Sequence, residues 1–90
     1  MSIRVVFSPN AWEEFQDWLR EDVRIARRVG RLIGDVRRNP YGMGIGKPEM
    51  LKGPLAGLLS RRIDGEHRLI YRMRGDALEI VACYGHYDGK

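Results

Sequence analysis

The segment "GKPEMLKG", residues 46–53, holds a single carboxylate, Glu49, which follows a proline and stands between Lys47 and Lys52. Proline restricts the backbone ahead of the glutamate, and neighbouring cations keep a carboxylate ionised and attract phosphate. An ionised carboxylate beside a phosphate can accept a proton, as a general base does. From the residues alone, an ordinary surface ion pair of little energetic value is the alternative.

Other groups suited to phosphate chemistry stand near turns and strand ends elsewhere in the chain. Arg62 and Arg68 occur in "SRRIDGEHRLIYR", and His86 and Tyr87 come just before the end of the sequence. A base, an acid and fixed cations together suit the cleavage of RNA by its own 2′-hydroxyl group. In this hypothesis Glu49 takes the hydroxyl proton, His86 protonates the departing 5′-oxygen, and three cations stabilise the phosphate: Arg68, Arg62 and Lys52.

This reaction needs no metal or cofactor, and it spares DNA, which lacks the 2′-hydroxyl group. Taken singly, each group has a structural alternative. Glu49 could be a surface ion pair, His86 a solvated side chain and Arg68 an exposed strand residue. His67, at a strand start beside a turn, is expected to be structural.

The N-terminal half of the chain has the patterns of a strand and two helices. Residues 3–7, "IRVVF", are short and β-branched, which is typical of a strand. Ser8 and Pro9 suit the N-cap and first turn of a helix that runs to about Glu21. Asp22 can cap a second helix, which "NP" ends and whose apolar residues share one face: Ile25, Val29, Leu32, Ile33 and Val36.

The C-terminal half is predicted to contain a long loop and three strands. Residues 41–57 are rich in glycine and show neither the helical nor the strand period, and loops of this length are commonly functional. From Leu58 onward the period is two, interrupted by the turn sequences "DGE" and "GD". In the middle strand, Leu69 and Tyr71 are expected to face the core, while Arg68 and Arg72 face the other way.

The order β-α-α-β-β-β predicts a single α+β domain over residues 1–90. Its two N-terminal-half helices pack on one face of a four-stranded, mainly antiparallel sheet. The other face, edged by the long loop, is expected to gather the chemical groups named above: Glu49, Lys52, Arg62, Arg68, His86 and Tyr87.

The charge balance indicates a polyanionic partner. Lys and Arg number 16 against 12 Asp and Glu, for a formal net charge of +4, and arginines far outnumber lysines. The guanidinium fork matches pairs of phosphate oxygens, which favours RNA or DNA. An arginine-rich solvated surface is the alternative.

The cysteine, the histidines and the apolar runs exclude several classes of protein. A lone Cys83 in "LEIVACY" cannot make an internal disulfide and is expected to be a buried, inert thiol. Two histidines and one cysteine, widely spaced, form no metal-ligand pattern. With no signal peptide and no apolar run of membrane-spanning length, the chain is expected to be soluble and cytoplasmic, without a membrane partner.

Several segments resemble one family, the YoeB (Txe) toxins of the RelE superfamily. They are "SPNAWEEFQDW", "RRNPYGMGIGKPE", "GKPEMLKG", "SRRIDGEHRLIYR" and "ACYGHY", so the resemblance spans nearly the whole chain. It implies the RelE/YoeB-like microbial RNase fold. It also implies catalytic roles for Glu49, Arg68, His86 and Tyr87, and substrate-binding roles for two cations, Lys52 and Arg62.

The resemblance further implies a ribosome-dependent endoribonuclease toxin that cuts mRNA in the decoding site. The expected products are a 2′,3′-cyclic phosphate and a 5′-hydroxyl, and no metal or cofactor is implied. The partners are mRNA, the ribosome and a YefM-type antitoxin, and a homodimer is compatible with the sequence. The alternative function is a non-catalytic basic module that binds nucleic acid and represses its operon together with an antitoxin.

Overall fold

Two helices and a five-stranded sheet make up the fold of residues 2–85, which are the residues described by a computed structural model. A 3₁₀ turn, Gly53–Leu55, lies between the second and third strands. In chain order the elements are β1 (Arg4–Phe7), α1 (Pro9–Glu21), α2 (Val23–Arg38), β2 (Glu49–Met50), β3 (Leu59–Arg62), β4 (Arg68–Arg74) and β5 (Ala77–Ala82).

The strands lie in the order β1-β5-β4-β3-β2. Strand β1 pairs with β5 in parallel, and the other three pairings are antiparallel. The prediction of two helices on one face of a mainly antiparallel sheet is confirmed. The sheet has one strand more than expected.

Both helices begin at the residues that the sequence indicated. The Ser8 hydroxyl accepts a hydrogen bond from the Ala11 N–H group at 3.0 Å, and the Asp22 carboxylate accepts one from Arg24 N–H at 3.1 Å. Each bond satisfies a backbone donor that the first turn of a helix leaves free. The Phe7 ring, just before the first cap, packs edge-on against Trp12 with centroids 5.5 Å apart and fixes the entry of the chain into α1.

The core lies between the helices and one face of the sheet. Helix α2 buries Val29, Leu32 and Val36 against alternate residues of the strands, including Leu69 and Tyr71 as expected. The opposite face is less uniformly basic than the strand pattern suggested. Part of the long loop folds over this face. There Leu51 packs with Ile70 and Ala82 in a second apolar cluster, which is flanked by Leu55, Leu58 and Val81.

The additional strand, β2, falls inside the segment predicted to be a structureless loop. Glu49 pairs with Ser60 and Met50 with Leu59. The pairing continues on either side, since Arg62 N–H donates to the carbonyl of Gly46 at 2.6 Å and Leu51 N–H donates to that of Leu58 at 2.9 Å. A strand of two residues is too short to show a period in the sequence, so only its pairing with β3 defines it.

A buried arginine, Arg61, ties this segment to the rest of the fold. Its side chain has no solvent exposure and faces the helices, beside core residues of β3 and β4. The guanidinium forms an ion pair with Asp35 of α2 and donates to Tyr71 Oη at 3.1 Å. It also donates to two backbone carbonyls, those of Asn39 at 2.8 Å and Ile45 at 3.2 Å. The end of α2 and the start of the long loop are therefore held by one side chain.

Two glycines allow the loop to approach this guanidinium closely. Gly44 has φ of 147°, and a Cβ atom there would collide with the Asp35 carboxylate and the Arg61 guanidinium. Gly46 has φ of 82°, and a Cβ atom would lie 2.8 Å from a methyl carbon of Leu32. Both the backbone conformation and the lack of space therefore require glycine at these positions.

No helix within residues 2–85 is both long enough and apolar enough to cross a membrane.

We expect Arg61→Met to destabilise the protein by at least about 3 kcal/mol, because it leaves Asp35 as a shielded carboxylate without its counter-ion. Urea unfolding at neutral pH measures this loss. The matched control is Arg62→Met, which changes the neighbouring but exposed arginine and should cost less than about 1 kcal/mol. Equal losses for the two variants would contradict the role assigned to Arg61.

The ion pair should also make stability depend on acidity. Arg61, and then the Ile45 N–H group, hold the pKa of the Asp35 carboxyl below its ordinary value. A carboxyl group with a lowered pKa in the folded state stabilises above its unfolded pKa of about 3.9, and this contribution is lost as the pH falls further.

Asp35→Asn should therefore be less stable than the wild type near neutrality, and the difference should shrink below about pH 4. Urea unfolding across a pH series measures both curves. Parallel losses of stability in the two proteins would show that Asp35 does not contribute to the acid response.

Candidate functional site

The open face of the sheet brings Glu49 and Arg68 into contact. Glu49 Oε1 accepts a hydrogen bond from Arg68 Nη1 at 3.3 Å, although 19 positions separate the two residues. The Arg68 side chain is 15% exposed and that of Glu49 is 60% exposed. The carboxylate is thus open to an incoming molecule, while the guanidinium beside it is partly shielded from water.

A second arginine lies next to Arg68 on the same face. The register of β3 and β4 places Arg62 directly opposite Arg68. Like charges directly opposite each other destabilise a sheet unless an anion lies between or beside them. Glu49 neutralises one of the two, and Arg62 makes no ion pair with any other residue between positions 2 and 85. The arrangement is therefore suited to bind a further anion, such as a phosphate group.

Lys52 occupies a different position from these three. It is exposed and precedes the 3₁₀ turn, where its carbonyl accepts a hydrogen bond from Leu55 N–H at 3.2 Å. Within residues 2–85 its ammonium forms no ion pair with Glu49, so no described contact joins Lys52 to the Glu49–Arg68 pair.

His86 and Tyr87 lie outside the described residues, but the structure fixes the point from which they continue. Gly85 donates its N–H group to His67 Nδ1 at 2.8 Å, and its carbonyl accepts a hydrogen bond from Arg68 N–H at 3.0 Å. The chain therefore reaches position 85 directly beside Arg68. His86 follows Gly85 in sequence.

His67 has the structural role that was expected. Its ring packs edge-on against Trp18 and Tyr84, with centroids 4.7 Å and 4.8 Å away. The acceptor role of Nδ1 toward Gly85 assigns the ring hydrogen to Nε2. His67 thus contacts the backbone of Gly85, the residue that precedes His86.

The backbone that leads to Glu49 is strained. Lys47 has φ of 50° and is, among residues 2–85, the one non-glycine residue with positive φ. It directly precedes Pro48, where a left-handed conformation is unusual. Such strain costs about 1 to 3 kcal/mol and is concentrated at functional sites, so the surrounding contacts must hold the segment in place.

An open groove of about 360 Å³ runs along one side of Glu49. Three large apolar side chains of the groove, Tyr41, Met43 and Met50, are between 71% and 83% exposed. The remaining lining residues are Gly42, Gly44, Pro48, Glu49 and Leu59.

The described residues include neither a cluster of metal ligands nor a reactive thiol. Between positions 2 and 85, no group of three or more His, Cys, Asp and Glu side chains could hold a metal ion. Cys83 is fully buried, and burial, assisted by Glu14, raises the pKa of its thiol to about 12. Because the thiolate is the reactive form, this cysteine is inert, as its sequence context indicated.

The structural role of Arg61 was missed by the sequence reasoning, which singled out its neighbour Arg62. A signal was present, because Arg61 has the same strand parity as the core residue Leu59. An arginine that faces the core needs a buried partner, and Asp35 interrupts the apolar face of α2 close to its end.

Comparison with known proteins gives a consistent result. Residues 7–87 match the profile of a family described as a YoeB-like toxin of bacterial type II toxin-antitoxin systems. Toxin RelK of Mycobacterium tuberculosis is 52% identical over 83 residues, which cover 92% of this chain and 96% of that protein.

Solved structures agree with the sequence comparison. The YoeB dimer from Staphylococcus aureus matches with a TM-score of 0.89 and 37% identity, covering 97% of this chain and 100% of that one. A heterotetrameric complex of YoeB and YefM, toxin and antitoxin from the same organism, matches with a TM-score of 0.86, 37% identity and the same coverage.

We expect His67→Phe to keep the aromatic packing against Trp18 and Tyr84 but to remove the acceptor for Gly85 N–H. Hydrogen exchange of the Gly85 amide, followed by NMR, should therefore become faster. His67→Asn, whose side-chain oxygen can replace Nδ1 as acceptor, should retain more of the protection. Unchanged protection of Gly85 in the Phe variant would show that His67 does not hold this backbone.

Proposed function

Because the chain belongs to the family of YoeB-like toxins of bacterial type II toxin-antitoxin systems, we propose that it is a ribosome-dependent endoribonuclease that cleaves mRNA. The observation that carries the proposal is the contact between the exposed Glu49 carboxylate and the Arg68 guanidinium, with Arg62 directly across the strand pair. A potential proton acceptor and two potential phosphate-binding groups thus share one face of the sheet.

The proposed reaction is attack of a ribose 2′-oxygen on the adjacent phosphate. An incoming phosphate competes with Glu49 for Arg68, and this releases the carboxylate to take the proton of the 2′-hydroxyl group. The new O–P bond closes a 2′,3′-cyclic phosphate, and the bond to the 5′-oxygen breaks. That oxygen leaves as a hydroxyl after receiving a proton from His86.

The cations stabilise the negative charge that accumulates on the phosphoryl oxygens. Arg68 is proposed as the main stabiliser, because its side chain is partly shielded from water and its backbone is fixed by pairing with β3 opposite Arg62. Arg62 and Lys52 bind the RNA backbone around it. Tyr87 is assigned to the catalytic group on the family resemblance, together with His86.

The position of Gly85 supports the assignment of His86. Its backbone is bonded on one side to His67 and on the other to Arg68, so the segment that carries the proposed acid starts beside the proposed phosphate site. In-line displacement requires the acid and the base to act from opposite ends of one phosphate.

The openness of the site supports the proposed dependence on the ribosome. General acid or base catalysis contributes roughly 10²- to 10⁴-fold, and positioning of the reacting atoms can contribute at least as much. The Glu49 carboxylate is exposed and the groove beside it is open, so this face has few contacts that could bend a free RNA. The ribosome would hold the mRNA in the conformation that reacts.

An antitoxin of the YefM type is the proposed protein partner, since the related S. aureus toxin forms a complex with YefM. Acidic side chains of such a partner can pair with Arg62 and Arg68 and so block access to phosphate. A homodimer is proposed on the same basis, because the S. aureus relative is a dimer.

We expect Glu49→Gln and Arg68→Gln each to slow mRNA cleavage by about 100-fold or more, because they remove the proton acceptor and the charge stabiliser. The assay incubates the protein with translating ribosomes and maps new mRNA ends. Glu13→Gln, an exposed glutamate of α1, is the matched control and should cleave at the wild-type rate. Urea unfolding verifies that each variant is folded.

A folded Glu49→Gln variant with wild-type activity would overturn the assignment of Glu49 as the general base. A wild-type protein that leaves the mRNA intact, and binds it with a steep dependence on salt, would instead favour the non-catalytic nucleic-acid-binding module.

A further inference from the structure

The groove beside Glu49 is open and mainly apolar, and it borders the proposed site at Glu49 only. Glu49 lines it, whereas Arg62 and Arg68 do not. Glu49 and Met50 belong to β2, the edge strand beyond β3 and β4, so the groove lies past Glu49 on the side away from the two arginines. Met50 pairs with Leu59, which faces the helices, so the groove continues around this edge of the sheet. For convenience we call it the base groove, defined by Tyr41, Met43, Met50 and the other lining residues given above.

The covalent structure of a nucleotide relates these two sides. In the reaction proposed above, the 2′-hydroxyl group of the attacking nucleotide lies at Glu49 and its 3′-phosphate lies at Arg68. The nucleobase is attached to C1′, the carbon next to the one that bears the 2′-hydroxyl. With the phosphate on the arginine side, the base is directed toward the opposite side of Glu49, where the base groove lies.

The walls of the groove suit a flat heterocycle. Tyr41 offers an aromatic face, and bases stack on aromatic side chains regardless of their sequence. Met43 and Met50 are polarisable and flexible, so they can adjust to rings of different size. Leaving three such side chains 71% to 83% exposed has a cost in water, which a bound apolar surface relieves.

The charge of the groove favours a nucleobase over an acidic protein segment as its occupant. Among residues 2–85, its ionisable lining groups are Glu49 and the phenol of Tyr41, and no cation of this part of the chain lines it. An acidic antitoxin segment would be repelled by Glu49, whereas a neutral base can donate an amino hydrogen to a nearby acceptor.

We propose that the base groove binds the nucleobase of the nucleotide immediately 5′ of the cleaved linkage, with Tyr41 as the stacking residue. This inference rests on the proposed function, because the attacking nucleotide defines the geometry. It makes the 41–50 segment the part of the protein that contacts the base, in addition to carrying the proposed catalytic carboxylate.

The test is a cycle that alters the protein and the RNA together. Ribosomes are programmed with a synthetic mRNA that has either a normal base or an abasic ribose, with its 2′-hydroxyl intact, immediately 5′ of the cleaved linkage. Single-turnover cleavage rates are measured for the wild type, Tyr41→Ala and Tyr41→Phe. Leu19→Ala, an exposed apolar residue of α1 outside the groove, is the control.

Tyr41→Ala should slow cleavage of the base-bearing mRNA by about tenfold or more, as expected for the loss of one stacked base. It should have no further effect on the abasic mRNA, and Tyr41→Phe should restore the wild-type rate. Leu19→Ala should match the wild type on both mRNAs.

Equal slowing of both mRNAs by Tyr41→Ala, or no slowing of either, would overturn the base groove while the proposed function stands. Normal cleavage by Tyr41→Ala combined with weaker binding of a YefM-type antitoxin would assign the groove to a protein partner instead. A wild-type protein that cleaves neither mRNA would overturn the proposed function itself, and the base groove with it.

Discussion

The interaction on which the arrangement of this protein depends is the burial of the Arg61 guanidinium. Removing a guanidinium from water costs several kcal/mol, so its hydrogen bonds must be satisfied inside the protein. Here Asp35, Tyr71 and the carbonyls of Asn39 and Ile45 accept them. These acceptors come from a helix, a strand and a loop, so a single cation fixes the relative positions of three parts of the chain.

The consequence for the candidate site lies in the segment that follows Ile45. Gly46 is bonded to β3, Lys47 has a strained backbone, and Glu49 then pairs with β3 opposite Ser60. A glycine-rich segment has high conformational entropy in the unfolded chain, and few side chains of its own to offset that cost. The contacts of Arg61 at its start and the pairing of β2 at its end supply what the segment lacks.

Adjacent arginines take opposite roles because successive residues of a strand face opposite sides of the sheet. Arg61 faces the helices and stabilises the loop, while Arg62 faces outward, across from Arg68. Two like charges in that register reduce the stability of the free protein. Glu49 offsets part of this cost, and a bound polyanion would offset more, which links the electrostatics of the sheet to the proposed RNA substrate.

The sequence by itself determined the helices, their caps and the long strands, because capping residues and apolar periods are local signals. It also predicted, through residue types and the family resemblance, that Glu49 and Arg68 lie on the same face of the sheet. Only the tertiary structure decided that β2 exists, that Arg61 is buried and that an apolar groove borders Glu49. Each of these depends on contacts between segments far apart in the chain, and no local pattern records which acceptors will surround a buried cation or which strand a two-residue segment will join.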